Sequence, residues 1–359
     1  MVQTKMNKTA LIAGVTGLTG HNLANHLAVL ADWKTYGLSR KLSAIAGVDA
    51  LAADLLDLEA LKQTLKGKEI SHLFFTSWQK MESEERNCEV NGVMLKNLLA
   101  ALSESSLSHV ALVTGGKNYF GSFAESGKYQ VVTPYREEQR RKPGLNFYYT
   151  QEDILFEQAK AQGFSWSVHR PDTVVGFSVG NLMNMGTTLA AYAAICRETG
   201  MAFTFPGSPT IYNGVCDVTD ARLLARHLTW SATTDLAKNQ AFNVVNGDVF
   251  RWSWMWQQLA DYFQVEVGAY PGHENPLENQ MREMGPVWSR IIEKYDLVPT
   301  ALDQIASWWH TDSDLSRPFE TFADMSKSRK LGFLDYQKSN ESFFELFDQL
   351  KKTRFIPSS

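Results

Sequence analysis

The chain has 359 residues, 44% hydrophobic and 21% charged, with a formal net charge of −4 and a pI near 6.1. That balance is ordinary for a soluble globular protein with a sizeable core, and it gives no electrostatic reason to expect nucleic-acid binding. Three cysteines without short spacing (Cys88, Cys196, Cys216) and eight histidines without HExxH-type pairing argue against a disulfide framework and a metal centre.

In chain order, the first residues carry a short apolar run without a small-residue cleavage site. No run of about 18 apolar residues occurs anywhere, so a cytoplasmic protein with no membrane segment is expected. Thr9 to Ala13 is a buried-strand pattern that runs through Gly14-Val15-Thr16-Gly17-Leu18-Thr19-Gly20 into a helical spacing from His21 to Leu30. Trp33 to Leu38 predicts a second strand, Leu51 to Ala53 a third, Leu58 to Leu65 a helix, and His72 to Thr76 a fourth strand. Asn87 to Leu102 predicts a long helix with an apolar face of Val90, Met94, Leu98 and Leu102. Val110 to Val113 is the fifth strand, Gln151 to Gln162 a helix, and Ser165 to Val168 the sixth strand. Strands alternating with helices predict an α/β fold: a Rossmann-type, doubly wound parallel sheet with helices on both faces.

Beyond Val175 the rhythm changes. Leu182 to Cys196 reads as an Ala-rich helix, and Ala241 to Val244 as a strand returning to the sheet. The rest is mostly helical, with tryptophans at Trp252, Trp254 and Trp256 read as core packing, and a further pair at Trp308 and Trp309. The expected organisation is one unit over residues 1–359, with a dinucleotide-binding core over 1–175 and a mainly helical substrate cap over 176–359. The basic run Arg140-Arg141-Lys142 reads as a solvated face. Cys88 and Cys196 read as small hydrophobes on apolar helix faces.

Gly14, Gly17 and Gly20 stand between a strand and a helix. Glycines there allow a tight turn and a close approach of backbone N–H groups to a pyrophosphate, to which the helix N-terminus adds partial positive charge. The GxxGxxG spacing resembles the short-chain dehydrogenase/reductase superfamily. After the second strand the chain reads Ser39-Arg40-Lys41. Two cations and a hydroxyl, with no carboxylate for a ribose 2′-hydroxyl, suit the 2′-phosphate of NADPH. Asp54, after the third strand, is placed like the acidic residue that contacts the adenine amino group in that superfamily, and also suits a turn or helix cap.

Ordinary members of the superfamily carry Tyr-x-x-x-Lys on one helix. Here the fourth residue after Tyr149 is Asp153, which speaks against the carbonyl-reductase, epimerase and dehydratase chemistries that use that motif. A cation is available from Lys117 instead, in the loop after the fifth strand at the carboxyl edge of the sheet.

The segments TGGKNYFGSF from Thr114, NFYYTQEDILFE from Asn146, WSVHRPDTVVGFS from Trp166 and AFNVVNGDVFRW from Ala241 resemble the progesterone 5β-reductase/iridoid synthase family of atypical short-chain reductases. The likeness extends from GVTGLTGHNLA at Gly14 to the C-terminal KSRKLGFLDYQKS. It implies NADPH-dependent 1,4-reduction of an enone or enal, with Lys117 and Tyr149 as the catalytic pair. It further implies cofactor contacts at Thr16, Gly17, Leu18, Arg40, Lys41, Asp54, Leu55, Ser77, Trp78, Val175 and Met183, and an aromatic substrate wall at Phe120, Tyr212 and Phe343. Asn118 replaces the family's usual histidine, and Asp172 stands where a smaller residue is common; both bear on pocket shape. The competing readings are a carbonyl reductase or sugar-nucleotide epimerase of the superfamily, and a non-catalytic NADP(H)-binding regulator. Analogy with the superfamily suggests a homodimer; no metal, nucleic-acid or membrane partner is expected.

Overall fold

Residues 8–122, 128–178, 180 and 183–358 are described by the computed structural model. Their strands are β1 (Lys8–Ala13), β2 (Trp33–Ser39), β3 (Asp49–Ala52), β4 (His72–Phe75), β5 (His109–Val113), β6 (Ser165–Pro171), β7 (Val174–Val175), β8 (Thr219–Asp220) and β9 (Gln240–Val244). The first five helices are α1 (Leu18–Ala28), α2 (Leu58–Leu65), α3 (Glu84–Ala101), α4 (Lys117–Phe120) and α5 (Phe147–Gln162). In β1, Ala10, Leu11, Ile12 and Ala13 are all fully buried, as expected of a strand covered on both faces.

Seven strands pair in parallel in the order β3-β2-β1-β4-β5-β6-β9. The chain winds outward from β1 to β3 and then crosses back to β4, so the strand order reverses beside β1. In open α/β sheets ligands bind at the carboxyl ends flanking such a reversal. The Rossmann-type reading therefore holds, including the late return of β9 to the edge of β6.

The chain folds as two compact units, the first containing Met1–Pro171, Arg222–Val244 and Asp324–Leu334, the second Asp172–Ala221, Val245–Ala323 and Asp335–Ser359. The second unit is built on helices, with β7 and β8 pairing only with each other. Its helix Trp252–Phe263 contains all three clustered tryptophans. Trp252 and Trp256 lie one helical turn apart and are buried, whereas Trp254 faces the opposite side and is exposed, so the core-packing expectation holds for two of the three. Another helix of this unit runs Met185–Thr199, capped by Asn184, whose side chain accepts the Thr187 N–H; the expected start at Leu182 lies outside the described residues. Among the described residues no helix is long and apolar enough to cross a membrane, and no group of three or more His, Cys, Asp or Glu side chains is arranged to hold a metal ion.

Helix starts differ from the periodic reading because capping, not apolar spacing, sets them. α3 begins at Glu84, three residues early, where the Ser83 side chain accepts the Arg86 N–H. α5 begins at Phe147, four residues early, where the Asn146 side chain accepts the Tyr148 N–H at 3.0 Å. That shift puts both Tyr148 and Tyr149 on the helix.

Inside the first unit a chain of buried histidines and serines crosses the sheet. His109 bonds Ser165 Oγ at 2.9 Å and Ser167 Oγ at 2.8 Å, and Ser167 bonds His169 Nε2 at 2.9 Å. His169 Nδ1 meets His227 Nδ1 at 3.1 Å, and His227 Nε2 meets Ser328 Oγ at 2.9 Å. Burial depresses His109 and His227 to about 3 and the nearby His72 to about 4. With folded values below the unfolded one, the unfolded chain binds more protons in acid. Stability is therefore intact above about pH 6.5 and falls as pH drops toward the folded values. At about pH 5 each of these three histidines lowers stability by roughly 2 kcal/mol. Urea melts should show a steep loss between about pH 6.5 and 4, and His227→Gln should flatten it. Equal stability at both ends of that interval would contradict the assignment of buried neutral imidazoles.

Candidate active site

The expected nucleotide end is the turn from β1 into α1. Gly14 has φ +85, and its N–H donates to Leu38 O at 3.0 Å. A Cβ on Gly14 would lie 2.5 Å from Ser77 Oγ, and one on Gly20 would lie 2.2 Å from Gly14 O. Both positions exclude any side chain, so the loop is pressed against the end of β4, where Thr76 Oγ donates to Ala13 O at 2.7 Å. Gly17 caps α1 without a side-chain hydrogen bond, and no acidic residue occupies the first turn. A helix N-terminus left in this form suits a phosphate group. Thr16 is exposed and Leu18 buried on either side of Gly17. At the end of β2, Ser39 Oγ donates to Lys41 O at 2.6 Å, and Arg40 and Lys41 are exposed. Asp54 is exposed after β3, and its side chain accepts the Leu56 N–H at 2.9 Å; Leu55 is buried, and the cap of α2 is Asp57. Asp54 thus makes a turn and leaves the helix cap to its neighbour.

Ser77 and Trp78 connect this loop to the loop after β5. Trp78 stacks on Phe147 with ring centroids 5.6 Å apart. Beside that stack sits Lys117, the first residue of α4 and itself buried. Its Nζ lies 4.3 Å from the Phe147 ring, 5.1 Å from the Tyr148 ring and 5.5 Å from the Trp78 ring. Three aromatic faces around one ammonium are a cation–π box. Burial lowers the Lys117 pKa to about 8, against an upward pull from Glu84. Asn146 ties the pieces together: its side-chain nitrogen donates to Lys117 O at 2.9 Å while its oxygen caps α5.

The two adjacent tyrosines part company. Tyr149 is buried, and its hydroxyl donates to Asn118 O at 2.8 Å and accepts the Lys142 N–H at 3.0 Å. Arg141 covers its ring at 4.8 Å. Burial raises its pKa. Tyr148 is half-buried, on the Lys117 side, and its hydroxyl reaches over Gly115, where an added Cβ would approach it to 3.1 Å. Of the expected pair, Lys117 Nζ lies beside the Tyr148 ring, while the Tyr149 hydroxyl meets backbone groups of Asn118 and Lys142.

Lysine is absent from both i+4 positions on α5, and arginines neutralise what stands there. Glu152 is buried between Arg141 at 2.9 Å and Arg170 at 3.0 Å, and Asp153 is exposed and meets Arg141 at 2.7 Å. Arg141 is thus part of the helix support, not only of a solvated face. Sequence reasoning missed this pairing because its members come from separate elements.

The PRISE-like Rossmann-fold domain family matches residues 4–357. The chain belongs to that family. An (S)-8-oxocitronellyl enol synthase of Nepeta cataria is 40% identical over 97% of this chain and 93% of its own length. A 3-oxo-Delta(4,5)-steroid 5-beta-reductase of Arabidopsis thaliana is 38% identical over 97% and 93%. Among solved structures, UDP-glucose 4-epimerase of Thermus thermophilus with NAD aligns at TM-score 0.66 and 15% identity, covering 96% of this chain and 99% of that one. RMD from Pseudomonas aeruginosa with NADPH aligns at TM-score 0.65 and 15% identity, covering 95% and 97%. These two share the fold with the PRISE-like chain.

The departures from the PRISE-like pattern have visible settings. Asn118 is buried, with neither amide atom hydrogen-bonded to another described residue. In the second unit Asp172 is buried and pairs with Arg317 at 3.0 Å; Arg317 also holds Asp314. The extra carboxylate therefore has a cation to meet. Of the other expected contacts, Phe120 is buried in the first unit near Tyr135. Val175, Met183, Tyr212 and Phe343 belong to the second unit. Val175 is fully buried in β7, and Met183 is half-buried. Phe343 is fully buried against Trp252 at 6.0 Å, and Tyr212 stacks on Tyr270 at 4.1 Å. The last two join one aromatic cluster through Phe205 and Trp252.

Proposed function

We propose that this PRISE-like chain is an oxidoreductase that reduces the C=C bond of α,β-unsaturated carbonyl compounds with NADPH, using Tyr148 and Lys117. The observation that carries the reading is the Lys117 ammonium boxed beside the Tyr148 ring, joined through Trp78 and Ser77 to the glycine loop. The steroid 5-beta-reductase relative supports it, since its name describes reduction of a double bond conjugated to a ketone.

NADPH would be held by Gly14, Gly17 and Gly20 at its pyrophosphate and by Ser39, Arg40 and Lys41 at its 2′-phosphate, and when bound it supplies the reducing equivalents to the β-carbon of the enone. The crowding at Gly14 and Gly20 and the uncapped start of α1 fit such a group. Thr16, Leu18, Asp54 and Leu55 stay with it as proposed contacts, and Phe120 as a proposed part of the substrate wall.

As charge develops on the substrate carbonyl oxygen, the Tyr148 hydroxyl donates a hydrogen bond to it. Lys117, in its protonated form, adds positive charge in a buried aromatic box, where electrostatic stabilisation is strong. Neither group has to carry a full proton transfer, because the product enolate takes a proton from solvent at the α-carbon. Tyr149 holds the Asn118 carbonyl and the Lys142 N–H, and so fixes the loop that presents Lys117.

The test is NADPH absorbance with purified protein and a cyclic enone, a linear enal, progesterone and a saturated aldehyde. Enone or enal is expected to be consumed to the saturated carbonyl product, NADH to be the poorer donor, and the saturated aldehyde to be inert. Consumption of the saturated aldehyde alone would instead identify a carbonyl reductase.

A further inference from the structure

We propose that Glu84, in the first turn of α3, is a positioning residue of this site that supplies the counter-charge of Lys117 and anchors the start of α5. The inference rests on the assignment of Lys117 above and extends it to a residue that does not touch substrate.

Glu84 is half-buried, whereas its neighbours Glu82 and Glu85 are exposed. One of its oxygens accepts the Phe147 N–H at 2.9 Å, and the other accepts the Asn87 side chain at 3.0 Å. Phe147 is the first residue of α5 and the aromatic face nearest the ammonium. Glu84 therefore sets the position of the ring against which Lys117 rests. The first turn of α3, which carries Glu84, and the first residue of α5, whose N–H it accepts, meet at this carboxylate.

The hydrogen bond to Phe147 alone does not require a carboxylate, because a glutamine oxygen accepts an N–H equally well. The charge is the additional feature, and its effect falls on Lys117. The charged and titratable groups that act on the ammonium are Glu84 and Cys88 from α3, which favour its protonated form, and Lys80 from the segment before α3, which opposes it. α5 adds the Phe147 and Tyr148 rings, and the segment after β4 adds Trp78. Burial works against the charge more strongly than any of these, bringing Lys117 to about 8. Among the described residues that act on it, Glu84 is the carboxylate that favours this ammonium against burial.

The experiment is the pH dependence of enone turnover at saturating NADPH for the full chain and for E84Q, E84D and K117M, with thermal melting of each. Wild type should lose activity above about pH 8 as Lys117 deprotonates. E84Q keeps an acceptor for Phe147 and removes the charge, so its alkaline limb should move down by about one pH unit. E84D keeps the charge and weakens the bond, so its limb should stay near that of wild type while its melting temperature falls. An E84Q limb that coincides with wild type, or an E84D limb displaced by a full unit, overturns the proposal and leaves Glu84 a helix anchor only. Should E84Q not fold, the E84D limb alone decides in the same way. If K117M turns over like wild type, the assignment of Lys117 fails and this inference with it, a result distinct from an unmoved limb in an enzyme that needs its lysine.

Discussion

Tyr148→Phe should slow enone reduction about 100-fold, and Tyr149→Phe less than about tenfold. The two side chains are neighbours of one type on one helix, so the comparison isolates where the hydroxyl is held. Removing the Tyr148 hydroxyl withdraws a donor from the developing oxyanion, which costs about 3 kcal/mol of transition-state stabilisation. The loss should appear in kcat, since the bond strengthens as charge develops. Removing the Tyr149 hydroxyl leaves the Asn118 carbonyl and the Lys142 N–H without it. That should lower stability by about 1–2 kcal/mol and disturb the Lys117 loop only indirectly. Steady-state kinetics and thermal melts of the two variants decide. A slow Tyr149→Phe beside a fast Tyr148→Phe would return the catalytic role to the second tyrosine.

Arg170→Met should be among the most destabilising substitutions in the first unit. Arg170 and Glu152 are both buried and meet at 3.0 Å, with the Arg170 guanidinium 5.6 Å over the Tyr119 ring. Removing one partner of a buried pair leaves a desolvated charge, at a cost of about 3–5 kcal/mol. Arg141 still reaches the other oxygen of Glu152, so the effect should fall toward the lower end of that range. The melting temperature should drop by about 10 °C, and a second change, Glu152→Leu, should recover most of it by removing the stranded carboxylate. Scanning calorimetry of the single and double variants checks this, and a double variant no better than the single would mean that packing around Arg170, not charge, is what was lost.

The fold and the glycine turn after β1 were legible because their signals are local. A buried apolar strand, glycines at close-approach positions and a following helix occupy one stretch of chain, and the contacts of Gly14 and Gly20 explain why no other residue stands there. The start of α5 was legible in principle from Asn146, an N-cap residue, but the aromatics behind it hid the helical period until Gln151. Which of two adjacent tyrosines faces the lysine was not legible. Neighbours on a helix point about 100° apart, and only the partners of each hydroxyl tell them apart. The burial of Lys117 was equally hidden. Its box is assembled from Trp78, Phe147 and Tyr148, and its counter-charge comes from Glu84, on another helix. Distant pairings of this kind leave no trace in periodicity. The strand at Ala241 to Val244 shows the opposite case, since its apolar pattern marks it as a strand wherever it pairs.

That last strand has a bearing on how the protein is made. β6 is complete once Pro171 has left the ribosome, but the strand that covers its edge is not synthesised until residues 240–244. Through the interval, while Asp172–Ala221 of the other unit emerges, β6 has no strand available to cover its outer edge. Such edges template wrong pairings between chains, and nascent domains begin folding while synthesis continues. Translation speed across that stretch, and the availability of chaperones to it, therefore bear on yield in a way that the finished sheet conceals.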